Sequence, residues 1–122
     1  MSEALESFKS GDLTITVKTS DDAATWVVWS GTSDARDPAL ELTPFLSRVC
    51  ENVTTASVVV DFRQLEYMNS GTVSPIIVFV RALDARKLPT RLLFDSSVGW
   101  QRVNFVAMKS IARTLSQLSV EG

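Results

Sequence analysis

The sequence predicts an α/β domain built on a mixed β-sheet, with an N-terminal hairpin, parallel central strands and helices packed on the sheet. Three observations predict it: apolar and polar residues alternate early in the chain, β-branched runs follow later, and helical apolar stripes separate those runs. The predicted order is β-β-α-β-α-β-α. Because strands alternate with helices after the hairpin, we expect right-handed crossovers and parallel central strands.

The composition is that of one ordinary globular domain spanning 1–122. Hydrophobic residues make up 45% of the 122 residues and charged residues 21%, and no apolar run approaches the ~20 residues of a membrane-spanning helix. The N-terminus lacks the apolar core of a secretory signal, so we expect a cytoplasmic protein without a membrane partner. The net charge of -2 and the lack of basic clusters argue against nucleic-acid binding.

Residue types that many enzymes and metal sites require are scarce. The chain has no histidine and one cysteine, Cys50, which removes the commonest general base, the commonest transition-metal ligand and an intrachain disulfide. We interpret Cys50 as a small buried hydrophobe. Many enzyme classes are thereby excluded, and we expect no metal site.

The N-terminal part is predicted to contain a hairpin. Residues 1–10 have no clear period and are expected to form a loose lead-in. The alternation from Leu13 and the β-forming run 25–30 predict two antiparallel strands joined by the polar turn at 20–22. Trp26 and Trp29, three residues apart on one strand, should face opposite sides of the sheet.

The first helix is predicted to follow a loop at 31–38. It is expected to begin at Thr43-Pro44, because threonine can cap a helix and proline suits its first position. Apolar residues at 45, 46, 49, 50 and 53 form a single helical stripe.

The sequence from residue 56 onward predicts two strands, each followed by a helix. The run 56–62 is β-branched and continuously apolar at 58–60, which is typical of a central strand covered on both faces. A second helix should end near Pro89, and 90–95 predicts another strand. The third helix is expected to bury one face, formed by Trp100, Val103, Ala107, Ile111 and Leu118.

The central strand and the turn after it carry a resemblance to a known family. Its residues are Val58-Val59-Val60-Asp61-Phe62, then Leu65, Tyr67, Met68, Asn69, Ser70 and Gly71. This segment resembles the core of STAS domains, the fold of sulfate-transporter cytoplasmic domains and bacterial anti-sigma-factor antagonists. In that family an apolar strand, a turn of the Asp-Ser-Ser-Gly type and a helix follow one another directly. The order of elements agrees over roughly 12–118, and the sequence-specific part covers 56–87.

The resemblance implies a non-catalytic bacterial signalling module of the anti-sigma-factor antagonist type, with no cofactor of its own. Such a module binds a partner protein and is switched by Ser/Thr phosphorylation in the strand-to-helix turn, here 69–74. Its partners would be a serine/threonine kinase of the anti-sigma type and a PP2C-like phosphatase, and a homodimer is also compatible with the fold.

The phosphoacceptor is left open between Ser70 and Thr72. In an ungapped alignment Gly71 falls where antagonists carry the phosphorylated serine, whereas deleting one residue puts Ser70 there. Pro75 should lie in the first turn of the helix, so the helix is expected to begin between Gly71 and Ser74, with Ser74 as its best cap. Ser70 and Thr72 would then lie outside the helix.

The other residues of this region have supporting roles in the prediction. A partner surface is expected at the turn and the start of the helix, formed by Asn69, Gly71, Val73, Ser74 and Pro75. Asp61 is expected to hold the loop after the central strand by hydrogen bonds. Val78 and Phe79 could either wrap into the core or form an apolar contact surface beside the turn.

Three alternatives to the switch remain open. The turn could have only a structural role, because serine, threonine, asparagine and glycine are common in any strand-to-helix turn, where they cap and bend the chain. The domain could be a scaffold or homo-oligomer subunit that is independent of phosphorylation. A small hydrolase would need a base in place of histidine, and Lys87 and Lys109 are the candidates.

Overall fold

Within residues 3–20 and 23–122, which the computed structural model describes, the chain forms a mixed α/β fold. The strands are β1 (Glu3–Ser10), β2 (Leu13–Thr19), β3 (Ala24–Ser33), β4 (Ser57–Met68), β5 (Thr90–Leu93) and β6 (Leu118–Glu121), and the helices are α1 (Pro38–Asn52), α2 (Ser70–Ala85) and α3 (Gly99–Ala112). The predicted elements occur in the predicted order, and β1 and β6 add a strand at each end. Residues 1–2 of the expected lead-in and 21–22 of the expected turn lie outside the described ranges.

The six strands found in the described ranges form one sheet in sequence order, from β1 to β6. β1, β2 and β3 pair antiparallel, whereas β3, β4, β5 and β6 pair parallel. The predicted hairpin and the parallel central strands are confirmed. β4 is central, as its continuous apolar run predicts.

The helices lie on one face of the sheet, because the three parallel connections all advance in the same direction and such connections are right-handed. The main core lies on that face and contains residues of every helix together with Trp29 and Phe62, whose ring centroids are 5.3 Å apart. On the opposite face, Val59 is buried by neighbours on the sheet, Trp26 among them. The two tryptophans therefore face opposite sides, as predicted. Val58, Val59 and Val60 are all buried, so this run of β4 is covered on both faces, as expected.

The expectation of a loose segment at 1–10 is wrong for Glu3–Ser10, which forms β1. This strand pairs with β2 through a two-residue connection, in which Gly11 has the positive φ of 57° that such hairpins favour. Phe8 packs on Phe45 of α1 with ring centroids 4.9 Å apart. Pairing with β2 and this contact order a segment whose composition predicts no strand.

The first helix begins earlier than predicted. Pro38 takes the favourable position at the start of α1, so Pro44 lies inside the helix. A proline there removes one backbone hydrogen bond, but the buried stripe of Leu42, Phe45 and Leu46 continues across it. Tertiary burial of this stripe outweighs the local preference for a start at Pro44.

The third helix buries only part of the predicted face, because Trp100 and Ile111 pack partly buried against the core whereas Ala107 is exposed. Gln101 and Met108 are buried, whereas Val103 is 68% exposed. The helix ends at Ala112, and Leu118 belongs to β6. Because α3 packs beside the sheet edge at β6, contact with that edge decides which residues turn inward.

Candidate functional site

The candidate site lies where β4 passes into α2, with Asn69 as the single residue between them. β3 and β4 are parallel, and Ser33 at the end of β3 pairs with Met68 at the end of β4. The backbone N–H of Asn69 donates to the carbonyl of Ser33 at 2.9 Å. The start of α2 is therefore anchored to the exit of the neighbouring strand.

Asn69 caps the helix with its side chain. Its Oδ1 accepts from the backbone N–H of Thr72 at 3.2 Å and from the Thr72 hydroxyl at 2.8 Å. Its Nδ2 donates to the carbonyl of Ala35 at 2.9 Å, in the loop between β3 and α1. An asparagine at this position satisfies a helix N–H group that would otherwise lack a partner. Its preference for the cap position is the sequence feature that could have located the helix start.

Thr72 is fully buried and ties α2 to β3. Its hydroxyl lies 2.8 Å from the hydroxyl of Ser33, which is also buried. Because the Thr72 proton is donated to Asn69, the Ser33 hydroxyl must donate to Thr72. Sequence reasoning did not identify Ser33, since it lies 39 residues from Thr72.

Gly71 allows the first turns of α1 and α2 to approach closely. A Cβ atom at this position would lie 3.1 Å from Cδ of Pro38. That distance is tighter than most carbon contacts, so a larger side chain would push the two helix starts apart. Gly71 thus has a packing role and does not need a positive φ.

Ser70 is the first residue of α2, and its side chain is exposed. The helix therefore begins before the range predicted from Pro75, which lies inside α2 as its sixth residue. Neither Ser74 nor Thr72 caps the helix. Ser74 is exposed one turn further on, so the two accessible hydroxyls of this segment are those of Ser70 and Ser74.

The N-terminus of α2 carries the partial positive charge of a helix start. The first turn contains no acidic residue, and the N–H groups of a first turn point outward with the positive end of the helix dipole. An anion attached near Ser70 would meet this partial positive charge.

The predicted partner surface is only partly exposed. Gly71 is exposed and Val73 half-buried, whereas Pro75 is buried. Val78 and Phe79 have opposite environments, since Val78 is 54% exposed and Phe79 is in the core. The surface available at the start of α2 thus consists mainly of Ser70, Gly71 and Ser74.

Asp61 lies within β4, so the segment after it is strand and not the expected loop. Its carboxylate accepts two hydrogen bonds at 2.9 Å from the Arg63 guanidinium and one at 3.0 Å from the Arg63 backbone N–H. Burial acts to raise the pKa of Asp61, but these hydrogen bonds and the charges of Arg63 and Lys18 outweigh it and hold the pKa below its ordinary value. Asp61 therefore supports the strand that leads to the site.

Gln101 is a buried polar residue that the sequence analysis did not identify. Its Oε1 accepts from the N–H of Asp95 at 2.7 Å, and its Nε2 donates to the carbonyl of Leu65 at 3.0 Å. It connects the start of α3 to the ends of β4 and β5. A glutamine in a helical apolar pattern gives no sequence indication of such contacts.

The candidate bases for a hydrolase lie away from the turn. Lys87 follows the C-terminal end of α2, which places it about 24 Å along the helix from Ser70. The Lys109 ammonium lies over the ring of Phe105, 4.9 Å from its centroid. Lys87 is therefore too far from the Ser70 hydroxyl to act on it, and the Lys109 ammonium is engaged with Phe105.

Two further features bear on possible ligands. Across residues 3–20 and 23–122, no three histidine, cysteine, aspartate or glutamate side chains come together as a metal site would require. None of the helices in these ranges is both long and apolar enough to cross a membrane.

Comparison with solved structures identifies the fold. SpoIIAA, an anti-sigma factor antagonist, matches in its unphosphorylated form with a TM-score of 0.55 and 13% identity over 86% of each chain. An anti-sigma factor antagonist from Mycobacterium paratuberculosis matches with a TM-score of 0.61 and 15% identity, over 93% of this chain and 90% of its own. An uncharacterised protein from Shewanella loihica with a SpoIIAA-like fold matches with a TM-score of 0.50 and 11% identity, over 94% and 89%.

The chain therefore has the STAS-like fold of SpoIIAA, and the predicted fold class is confirmed. No protein-family model matches the sequence, and no curated protein matches it. The likeness lies in the arrangement of strands and helices rather than in residue identity.

Proposed function

We propose that this protein is a non-catalytic signalling module of the anti-sigma-factor antagonist type, which binds a partner protein and is switched by phosphorylation of Ser70. The main support is the exposed Ser70 hydroxyl at the first residue of α2, in a fold shared with anti-sigma factor antagonists. The fold supports a signalling role, and the exposed hydroxyl supports the choice of site.

Ser70 is preferred over Thr72 because a kinase must reach the hydroxyl it modifies. Thr72 is fully buried, and its oxygen is engaged with Ser33 and Asn69. Modification of Thr72 would require the first turn of α2 to open and these hydrogen bonds to break. Modification of Ser70 requires neither change.

The proposed switch acts through local charge. The kinase transfers the terminal phosphoryl group of ATP to Oγ of Ser70, which loses its proton, and ADP is released. The product carries about -1.5 to -2 charges at neutral pH beside the N–H groups of the helix start. Asn69 and Thr72 keep the turn in place, so the added charge changes the surface without unfolding the domain.

By analogy with the fold's antagonists, the kinase would be of the anti-sigma type and the opposing enzyme a PP2C-like phosphatase. The unmodified start of α2, with Ser70 and Gly71 exposed, would contact the partner. The phosphoryl group would then add charge and bulk within that contact and weaken it. ATP belongs to the kinase and is not a ligand of this chain.

The test is phosphorylation of purified protein by an anti-sigma-type kinase from the same organism with ATP and Mg²⁺, followed by intact-mass measurement and fragmentation. We expect one phosphoryl group on the wild type, none on Ser70→Ala, and one on the matched control Ser74→Ala, whose hydroxyl is also exposed. A phosphoryl group that persists on Ser70→Ala would refute the choice of Ser70. Complete lack of modification would refute the switch.

Binding provides the second part of the test. The affinity of the kinase for unmodified protein, Ser70→Glu and phosphorylated protein should decrease in that order, because each step adds negative charge to the contact. Equal affinity for all three forms would show that phosphorylation does not control binding.

The scaffold or homo-oligomer alternative has one supporting observation. Val103 and Val106 on α3 are 68% and 59% exposed, and they lie three residues apart on the helix surface. Sedimentation of the wild type and of Val103→Ser should agree if the protein is monomeric. A wild-type oligomer that Val103→Ser dissociates, with partner binding unaffected by phosphate, would favour the alternative.

A further inference from the structure

The outer seam between α1 and α2 forms an open cavity of about 330 Å³, which we call the α1–α2 groove. Leu46 and Cys50 line it from α1, and Pro75, Phe79 and Ala82 line it from α2. Residues from successive turns of both helices contribute, so the groove follows the helix axes. Lining positions on α1 run from Thr43 to Glu51, a length of about 12 Å.

The size of the groove favours a small molecule over a folded protein. The groove volume of about 330 Å³ lies within the range of about 300 to 1,000 Å³ that is typical of small-molecule cavities. A stable protein interface instead covers about 800 Å² of surface on each partner. The central part of the groove is apolar, with Val78 exposed at its rim. A groove of this length and volume can hold one aliphatic chain.

A fixed positive charge marks one end of the groove. The Arg86 guanidinium donates to the carbonyls of Cys50 and Val53 at the end of α1, the second bond being 3.2 Å long. A guanidinium has five N–H donors, so these two bonds position the group and leave donors for a ligand. The exposed carboxylate of Glu51 lies at the same end and opposes an anion there.

We propose that the α1–α2 groove binds a single-chain aliphatic carboxylate, with its tail along Leu46, Cys50 and Phe79 and its carboxylate at Arg86. Planar guanidinium groups bind carboxylates through paired hydrogen bonds, which gives the head group an orientation. The tail gains free energy by leaving water for the apolar walls. This site is separate from Ser70 and does not depend on phosphorylation.

The test uses decanoate below its micelle concentration and isothermal titration calorimetry on the full chain. We expect saturable binding of one molecule per chain. Decanol, which has the same tail and no charge, should bind about tenfold more weakly, and Glu51→Gln should bind decanoate more tightly than the wild type. Equal affinity for decanol and decanoate, or no saturable binding of decanoate, would overturn the proposal.

Two variants locate the bound molecule. Ala85→Leu places a larger side chain at an exposed position of the groove and should weaken decanoate binding about tenfold. Ala107→Leu makes the same change at an exposed position of α3 outside the groove and should leave affinity unchanged. Leucine suits a helix nearly as well as alanine, so both variants should fold. Equal affinity in the wild type and Ala85→Leu would place the molecule elsewhere.

Cys50 supplies a built-in reporter, because it is the one cysteine of the sequence and lines the groove. Saturating decanoate should slow modification of Cys50 by methyl methanethiosulfonate severalfold, measured by intact mass, and decanol at the same concentration should slow it less. Binding that leaves the modification rate of a reactive Cys50 unchanged would contradict a tail seated in the groove.

Discussion

The two strand-to-helix turns at the same edge of the sheet, β4–α2 and β5–α3, are held in place by different contacts. The β4–α2 turn has one intervening residue, Asn69, whose side chain caps the helix. The β5–α3 turn spans residues 94–98, and its N-cap residue Val98 makes no side-chain cap. The first turn is held by its own cap and by Thr72, whereas the second is held by Gln101, which reaches across to Asp95, and by the bonds from Ser97 to Asp95.

The two hydroxyl-rich segments therefore hold their serines in different ways. Ser96 and Ser97 lie in a longer connection, and the Ser97 hydroxyl is bonded to Asp95. Ser70 is the first residue of a capped helix whose next turn is locked in the core by Thr72. The backbone that carries the Ser70 hydroxyl is therefore held in a fixed position.

The largest effect should come from removing the long-range support of the β5–α3 turn. Gln101→Leu keeps a buried side chain of similar size but leaves Asp95 N–H and the Leu65 carbonyl without this partner. We expect a loss of about 2 to 3 kcal/mol in the free energy of unfolding, measured by urea denaturation. Arg102→Leu, at the adjacent exposed position, is the control and should change stability little. Equal effects of the two variants would refute the role of Gln101.

A somewhat smaller effect should come from the buried hydroxyl of the β4–α2 turn. Thr72→Val preserves shape but removes the hydrogen bonds to Ser33 and Asn69, which should cost about 2 kcal/mol in urea denaturation. Thr43→Val makes the same change at an exposed helical position and should be nearly neutral. Stability that is unchanged in Thr72→Val would show that the network does not hold the turn.

The smallest of the three effects is a pH dependence of stability that arises in the β5–α3 turn. The hydroxyl and backbone N–H of Ser97 donate to the Asp95 carboxylate and hold the pKa of Asp95 below its ordinary value. Because the pKa of Asp95 is lower in the folded than in the unfolded state, these hydrogen bonds stabilise the folded protein above the unfolded pKa of about 4. This stabilisation is lost as the pH falls through the folded pKa.

Carboxyl titration by NMR checks this prediction. Ser97→Ala should raise the pKa of Asp95 towards its ordinary value, because the hydroxyl bond is the largest cause of the shift. The β4–α2 turn uses the neutral amide of Asn69 in the corresponding role and should show no such titration. An Asp95 pKa that is the same in wild type and Ser97→Ala would contradict the assignment.

Local sequence patterns predicted much of this fold. The alternation that begins at Leu13 predicted β2, and the run around Val59 predicted a central strand. The Gly11-Asp12 pair is typical of a hairpin turn and could also have revealed β1. The helical start at Ser70 could have been found from Asn69, a favoured cap, had Pro75 not suggested a later start.

The sequence by itself determined the order of the seven elements from β2 to α3 and placed the hydroxyl-rich turn between a central strand and a helix, because hydrophobic period and turn residues act over short distances. Tertiary structure alone decided which hydroxyl is exposed. Ser70 faces solvent and Thr72 is buried because Thr72 meets Ser33, 39 residues away, and because Gly71 lets α2 approach Pro38. Contacts between distant residues leave no local period, so they become visible only when the strands and helices are assembled.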